Sequence, residues 1–135
     1  MTQTFNIRVY YEDTDLAGIV YYANYLRYFE RGRTEAIRAV GVDQLALRNS
    51  RNLAFVVRRM EIDYHAAARF DDVVTVETAT TEVGYASTIM RQRIWLAETL
   101  VVAAEVKLAM ITLDGRVSRY PDDVKMALER LIAAT

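Results

Sequence analysis

The 135-residue sequence predicts an α+β fold in which one long helix lies on a five-stranded antiparallel sheet. Three observations carry that expectation. A single long segment near the start repeats its apolar residues at helical spacing. The chain then changes period and gives four consecutive runs with strand character, separated by turn signals. No long linker, low-complexity tract or repeat divides it, so residues 1–135 are expected to form one domain.

Phe5, Ile7, Val9 and Tyr11 alternate with polar or aromatic neighbours and predict the first strand. The polar stretch EDTDLAG then breaks the pattern. Asn24 is the expected cap of the long helix, followed by Tyr25, Phe29, Gly32, Ala36, Ile37 and Val40 on one face. Gly32 costs a helix about 1 kcal/mol relative to Ala, so a strand crossing close to the helix is expected there. Gly41 is a natural stop, and Val42 to Asn52 reads as a short helix plus loop. The four later strands are Phe55 to Tyr64, Val73 to Thr81, Tyr85 to Leu96 and Val101 to Leu113. Turns at Asp71-Asp72, Val83-Gly84 and Glu98-Thr99 separate them, and Asp114-Gly115 closes the last. Pro121 and Asp122 open a short C-terminal helix with Val124, Leu128, Leu131 and Ile132 on one face. One long helix cannot make a bundle, but it can cover one face of a sheet. Residues 101–111, VVAAEVKLAMI, look apolar on both faces, so the free face of the sheet is expected to be greasy and to drive self-association. A helix wrapped by an antiparallel sheet and paired with another copy is the hotdog architecture.

Composition narrows the chemistry. The net charge of −1 gives no general attraction to nucleic acid or to an anionic membrane. With no cysteine and one histidine, a cysteine nucleophile and a His-rich metal site are excluded. No signal-peptide pattern opens the chain and no apolar run approaches ~20 residues, so the cytoplasm is the expected compartment and membrane insertion is not expected. Any reaction must rest on carboxylates, hydroxyls and backbone amides, with no resident cofactor or metal expected.

Residues 10–33, YYEDTDLAGIVYYANYLRYFERGR, concentrate such groups. Four carboxylates, Glu12, Asp13, Asp15 and Glu30, are costly so close together unless they stay wet or act. Asp15 precedes Gly18 and the helix start. A carboxylate there can face a substrate whose electrophilic oxygen meets amides around Gly18 to Tyr22, aided by the helix dipole. It would attack a carbonyl or take a proton from attacking water; the alternative is an Asp that only caps a loop. Asp13 reads as a turn cap or a partner for Arg, and Glu12 as solvent-facing or paired. Glu30 on the helix reads as a supporting residue, with Arg33 and Glu35 at the rim or in salt bridges. Tyr22 and Tyr25 either belong to a core or interface or flank an acyl or aryl pocket. His65 reads as an ordinary edge contact. Arg58 and Arg59 point to opposite faces unless the strand bulges. One can pair with Glu61 or Asp63, and one can reach a phosphate near a subunit boundary.

The block RVYYEDTDLAGIVYYANYLRYFERGRTEAIR, residues 8–38, with AFVVRRMEIDYHAAARFDD, residues 54–72, closely resembles the hotdog-fold acyl-CoA thioesterases, especially the YbgC-like group associated with the Tol-Pal system. The resemblance implies that Asp15 is catalytic and that the segment through Tyr22 and Ala23 supplies helix-terminal amides for the thioester oxygen. It implies that Glu30 supports the site, that two chains complete it in a dimer or tetramer, and that basic residues such as Arg58 or Arg59 meet coenzyme A. One departure stands out. The group commonly has GVVYHANY where this chain has GIVYYANY, placing Tyr22 at the histidine position. Tyrosine is a poor base near neutral pH, so no mechanism needing histidine there transfers. The tyrosine version also resembles the 4-hydroxybenzoyl-CoA thioesterase branch. The implied reaction is hydrolysis of a small or medium acyl-CoA to carboxylate and free CoA. The alternatives are a hotdog dehydratase or isomerase on an acyl thioester, and a non-catalytic module binding acyl-CoA or acyl-carrier protein.

Overall fold

The computed structural model describes residues 1–132. Five strands form one antiparallel sheet: β1 (Gln3–Arg8), β2 (Leu53–Tyr64), β3 (Val73–Val83), β4 (Ser87–Leu96) and β5 (Thr99–Thr112). Their spatial order is β1-β3-β4-β5-β2, so the two earliest strands occupy opposite edges. Three helices accompany them: α1 (Asn24–Ala39), α2 (Gln44–Arg51) and α3 (Asp122–Glu129). This is the hotdog arrangement expected from the sequence.

The α1 face built from Tyr25, Tyr28, Phe29, Gly32, Ala36 and Ile37 is buried against the sheet. At the crossing, a Cβ on Gly32 would lie 2.5 Å from Val76 Cγ1, so the absent side chain is what lets the helix approach β3. Gly41, at φ +92°, ends the α1 turn as expected. The Asp43 side chain caps α2 by accepting from Ala46 N at 3.0 Å.

Several expectations need correction. Tyr11 is outside β1: Val9 leaves the strand to pair with Asp71 and Asp72, and Tyr11–Asp13 form a 3-10 turn. Asn24 begins α1 rather than capping it, with Ala23 at the cap position. Ile132 is 43% exposed, unlike buried Val124, Leu128 and Leu131, because the chain has left α3 and bridges Thr80. The outer face of the 101–111 run is mixed rather than uniformly greasy: buried Val101 and Ala109 share the phase of exposed Glu105 and Lys107. Val102, Ala104, Val106, Leu108 and Met110 are buried toward α1, whereas Glu105 and Lys107 alternate outward beside Arg91 and the Glu77–Arg93 ion pair.

Candidate active site

The segment between β1 and α1 is pinned by its backbone to the connection between β2 and β3. Val9 N donates to Asp72 O, Asp71 N to Val9 O, and Val20 N to Ala68 O. Asp13 braces the loop from within. Its Oδ2 accepts from Tyr10 N at 2.8 Å, and its carbonyl accepts from Tyr21 N and Asn24 Nδ2, each at 2.8 Å. The turn-capping role read for Asp13 is the one found.

Asp15 sits at the head of a tight turn. Its N–H donates to Ile19 O, its carbonyl accepts from Gly18 N at 3.0 Å, and its Oδ1 accepts from Ala17 N at 2.9 Å. Gly18 has φ +81°, a conformation that favours glycine. The Gly18 amide is therefore consumed inside the turn and is not an open donor, contrary to the expectation for it. Tyr22 and Ala23 differ: among the described residues their amides have no acceptor, and no side chain caps α1. Asp15 Oδ2 likewise has no hydrogen-bond partner among the described residues. An open carboxylate oxygen and two open helix-terminal donors are thus held by one braced loop.

Aromatic rings frame this end. Tyr25 is buried, and its hydroxyl accepts from Ala68 N at 3.2 Å. Burial chiefly raises the Tyr25 pKa, the Ala68 N–H opposes that, and nearby Tyr64, Asp15 and Asp72 raise it further. Tyr25 is an anchor between helix and loop. The exposed Tyr22 ring packs edge-on against Tyr21 and Tyr64, with centroids 5.0 and 6.1 Å apart. The Tyr64 hydroxyl donates to Tyr22 O at 3.2 Å. Sequence reasoning placed Tyr64 at a strand end without a role, although it lies in the second block of the resemblance. Buried Tyr28 has a raised pKa, first from burial and then from facing Asp13, though no well-formed hydrogen bond joins them.

Residues 17–103 match the family model described as the thioesterase superfamily. The chain belongs to that superfamily. It is 42% identical over 130 residues to the acyl-CoA thioesterase YbgC of Haemophilus influenzae, covering 95% of each chain. Over 106 residues it is 45% identical to the acyl-CoA thioester hydrolase YbgC of an Escherichia coli strain, covering 78% of each. The crystal structure of a probable thioesterase from Bartonella henselae superposes with a TM-score of 0.87 at 38% identity, over 90% of this chain and 100% of that one. The chain is thus closely related to the YbgC-like hotdog acyl-CoA thioesterases.

The other candidates in this superfamily member lie away from the loop's hydrogen bonds. Glu30 is exposed on α1, where its Oε2 accepts from Thr34 Oγ1 at 2.7 Å. Arg58 is the unpaired residue of a bulge between Val57 and Arg59 in β2; Arg59 is paired with Glu61 and Arg58 has no ion-pair partner among the described residues. His65 is exposed at a strand end, its N–H donating to Val101 O. Asp15 does not line the clefts beside α1, α2 or the Tyr10–Phe70 corner, and Leu16 next to it is fully exposed. Among the described residues no group of three or more His, Cys, Asp or Glu is placed to hold a metal, and no helix is long and apolar enough to cross a membrane.

Proposed function

We propose that this protein hydrolyses small or medium acyl-CoA thioesters to carboxylate and free CoA, with Asp15 as the reacting carboxylate. The observation that carries the reading is the pairing of the open Asp15 Oδ2 with the open Tyr22 and Ala23 amides at the start of α1. Those amides and the helix dipole stabilise the oxyanion that forms when the thioester carbonyl is attacked. Ala17 N fixes the other carboxylate oxygen and so sets the direction of attack.

Two routes use this geometry. In one, Oδ2 adds to the carbonyl carbon, the carbon–sulfur bond breaks, CoA leaves as thiolate, and water hydrolyses the mixed anhydride. In the other, Oδ2 takes a proton from water as that water attacks. Tyr22 supplies its amide and a ring wall, and neither route asks it to act as a base. Glu30 is proposed as a supporting residue, and Arg58, free of Glu61, is the better of the two arginines for the CoA phosphates.

The working form is proposed to be a homo-oligomer in the cytoplasm. Leu16, beside Asp15, is completely exposed, and β2 is a twelve-residue edge strand paired only with β5. A second copy covering these features would also enclose the open site. Free-thiol release across short, medium and aryl acyl-CoAs tests the proposal, with wild type beside Asp15→Asn. Turnover by wild type that is lost in folded Asp15→Asn supports it. Equal turnover by a well-folded Asp15→Asn protein sinks the assignment.

A further inference from the structure

The main packing of α1 is on β1 and β3, with a reach to β4 through Gln92. At its N-terminal end α1 meets β2 where Tyr22 and Tyr25 touch Tyr64, beside the open amides. Farther along the helix, a cleft of about 100 Å³ lies between α1 and β2, lined by Glu30, Arg33, Thr34, Phe55, Val57 and Leu108. A wider cleft of about 800 Å³ continues from there, sharing Thr34 and Phe55. Between Ala23 and Arg33 the helix rises on the order of 15 Å, and long helical side chains point back toward the N-terminus. That spacing suits an acyl group of medium length.

Arg33 was expected at the rim or in a salt bridge and instead reaches beneath the helix to the buried Gln92. Its Nη1 donates to Gln92 Oε1 at 3.0 Å. Gln92 is fully buried and its amide nitrogen donates to Phe29 O and Thr78 Oγ1, both at 2.9 Å, so its carbonyl is fixed toward the guanidinium. A guanidinium has five N–H donors in a planar fork suited to carboxylate. Among the described residues no carboxylate oxygen lies within 4.0 Å of Arg33. Burial lowers its pKa, with Glu30 opposing that from the same helix. Removing a cation from water without a close counter-ion is costly. Glu30, exposed at the mouth and held by Thr34, is screened by water; Arg33 lies at the inner wall.

We infer that an acyl group held at the open amides runs along α1 toward this cleft and that Arg33 binds a carboxylate there, making monothioesters of dicarboxylic acids the favoured substrate class. This rests on the thioesterase reading and adds specificity to it. The test compares adipyl-CoA with hexanoyl-CoA, equal in chain length, in wild type, Arg33→Met, Arg33→Lys and Glu30→Gln. Wild type is expected to favour adipyl-CoA in kcat/KM by about tenfold or more, the range for a hydrogen bond to a charged group. Arg33→Met brings that ratio to about one, Arg33→Lys restores part of it, and Glu30→Gln, which removes a repelling charge, raises it. Wild-type turnover of hexanoyl-CoA without preference for adipyl-CoA overturns the inference and leaves the thioesterase reading standing. A ratio unmoved in Arg33→Met, or a change only in oligomeric state, overturns it as well. If no thioester is hydrolysed, the thioesterase reading fails, and calorimetry with adipate decides the site: binding that does not depend on Arg33 rejects it.

Discussion

The two ends of α1 are finished in opposite ways. At its C-terminus Gly41 turns the chain, Val42 N returns to Ile37 O, and Arg130 Nη2 reaches Val40 O at 2.6 Å. The neighbouring α2 is capped by Asp43, and Arg51 is joined to Asp123 by two hydrogen bonds. At the N-terminus of α1 no side chain caps the helix, the Tyr22 and Ala23 amides stand open, and Asp15 presents a free oxygen beside fully exposed Leu16. A missing cap costs a helix roughly 1 kcal/mol. The chain satisfies this need at α2 and leaves it unmet at α1, where the proposed reaction uses the open donors for an incoming oxyanion. Satisfied groups are concentrated at one end and open groups at the other.

That contrast is open to test. The largest effect belongs to Asp15→Asn, expected to lower kcat by on the order of 10³-fold or more while thermal unfolding stays near wild type. A large drop in melting temperature would instead place Asp15 among the structural residues. Next comes Gly32→Ala, at the middle of the helix between the two ends. Overpacking against stiff, buried Val76 is expected to cost about 1–3 kcal/mol, more than the gain of about 1 kcal/mol in helix propensity. Denaturant unfolding checks this, and unchanged stability would show that α1 can lift from β3 at no cost. Asp43→Ala, at the satisfied end, is expected to lose about 1 kcal/mol of stability without changing thiol release. Altered turnover there would break the separation of roles.

The smallest effect is alkaline. Burial raises the pKa of Tyr25, Tyr28 and Tyr120, so the folded state holds these protons more tightly than the unfolded chain. Their stabilisation is complete below the ordinary phenol pKa of 10.0 and is lost as pH rises above it. Tyrosinate absorbance is expected to appear for these residues together with unfolding rather than before it. Full ionisation in a folded protein would contradict their burial.

The sequence made the scaffold legible because each element follows from local chemistry. Gly32 announced a close crossing, Gly41 a stop, and the turn pairs separated the strands. The position of Asp15 and Tyr22 just ahead of a helix was legible from their order, whereas Ala23 entered through the family resemblance. The failures share a cause, which is that they depend on where a group points. Gly18 looked like a donor until its N–H closed on Asp15 O. Arg33 looked like a rim charge because helical spacing alone does not say how far the sheet extends beneath it. Tyr64 joins the site only because the far end of β2 reaches Tyr22. The run VVAAEVKLAMI looked greasy on both faces, yet its two charges fall on the outward side and join those of β4.

The sheet order carries a consequence for how the protein is made. β1 pairs only with β3 and β2 only with β5, so no strand in the first 72 residues has its partner among those residues. Emerging from the ribosome, this portion can form helical turns but no ladder, and its strand edges wait for later sequence. Such non-local pairings fold slowly, since loop closure precedes any gain from contact. The Asp15 turn leans on Ala68 and Arg69, and β1 on β3, so the reactive loop takes shape only after the chain beyond it has been synthesised.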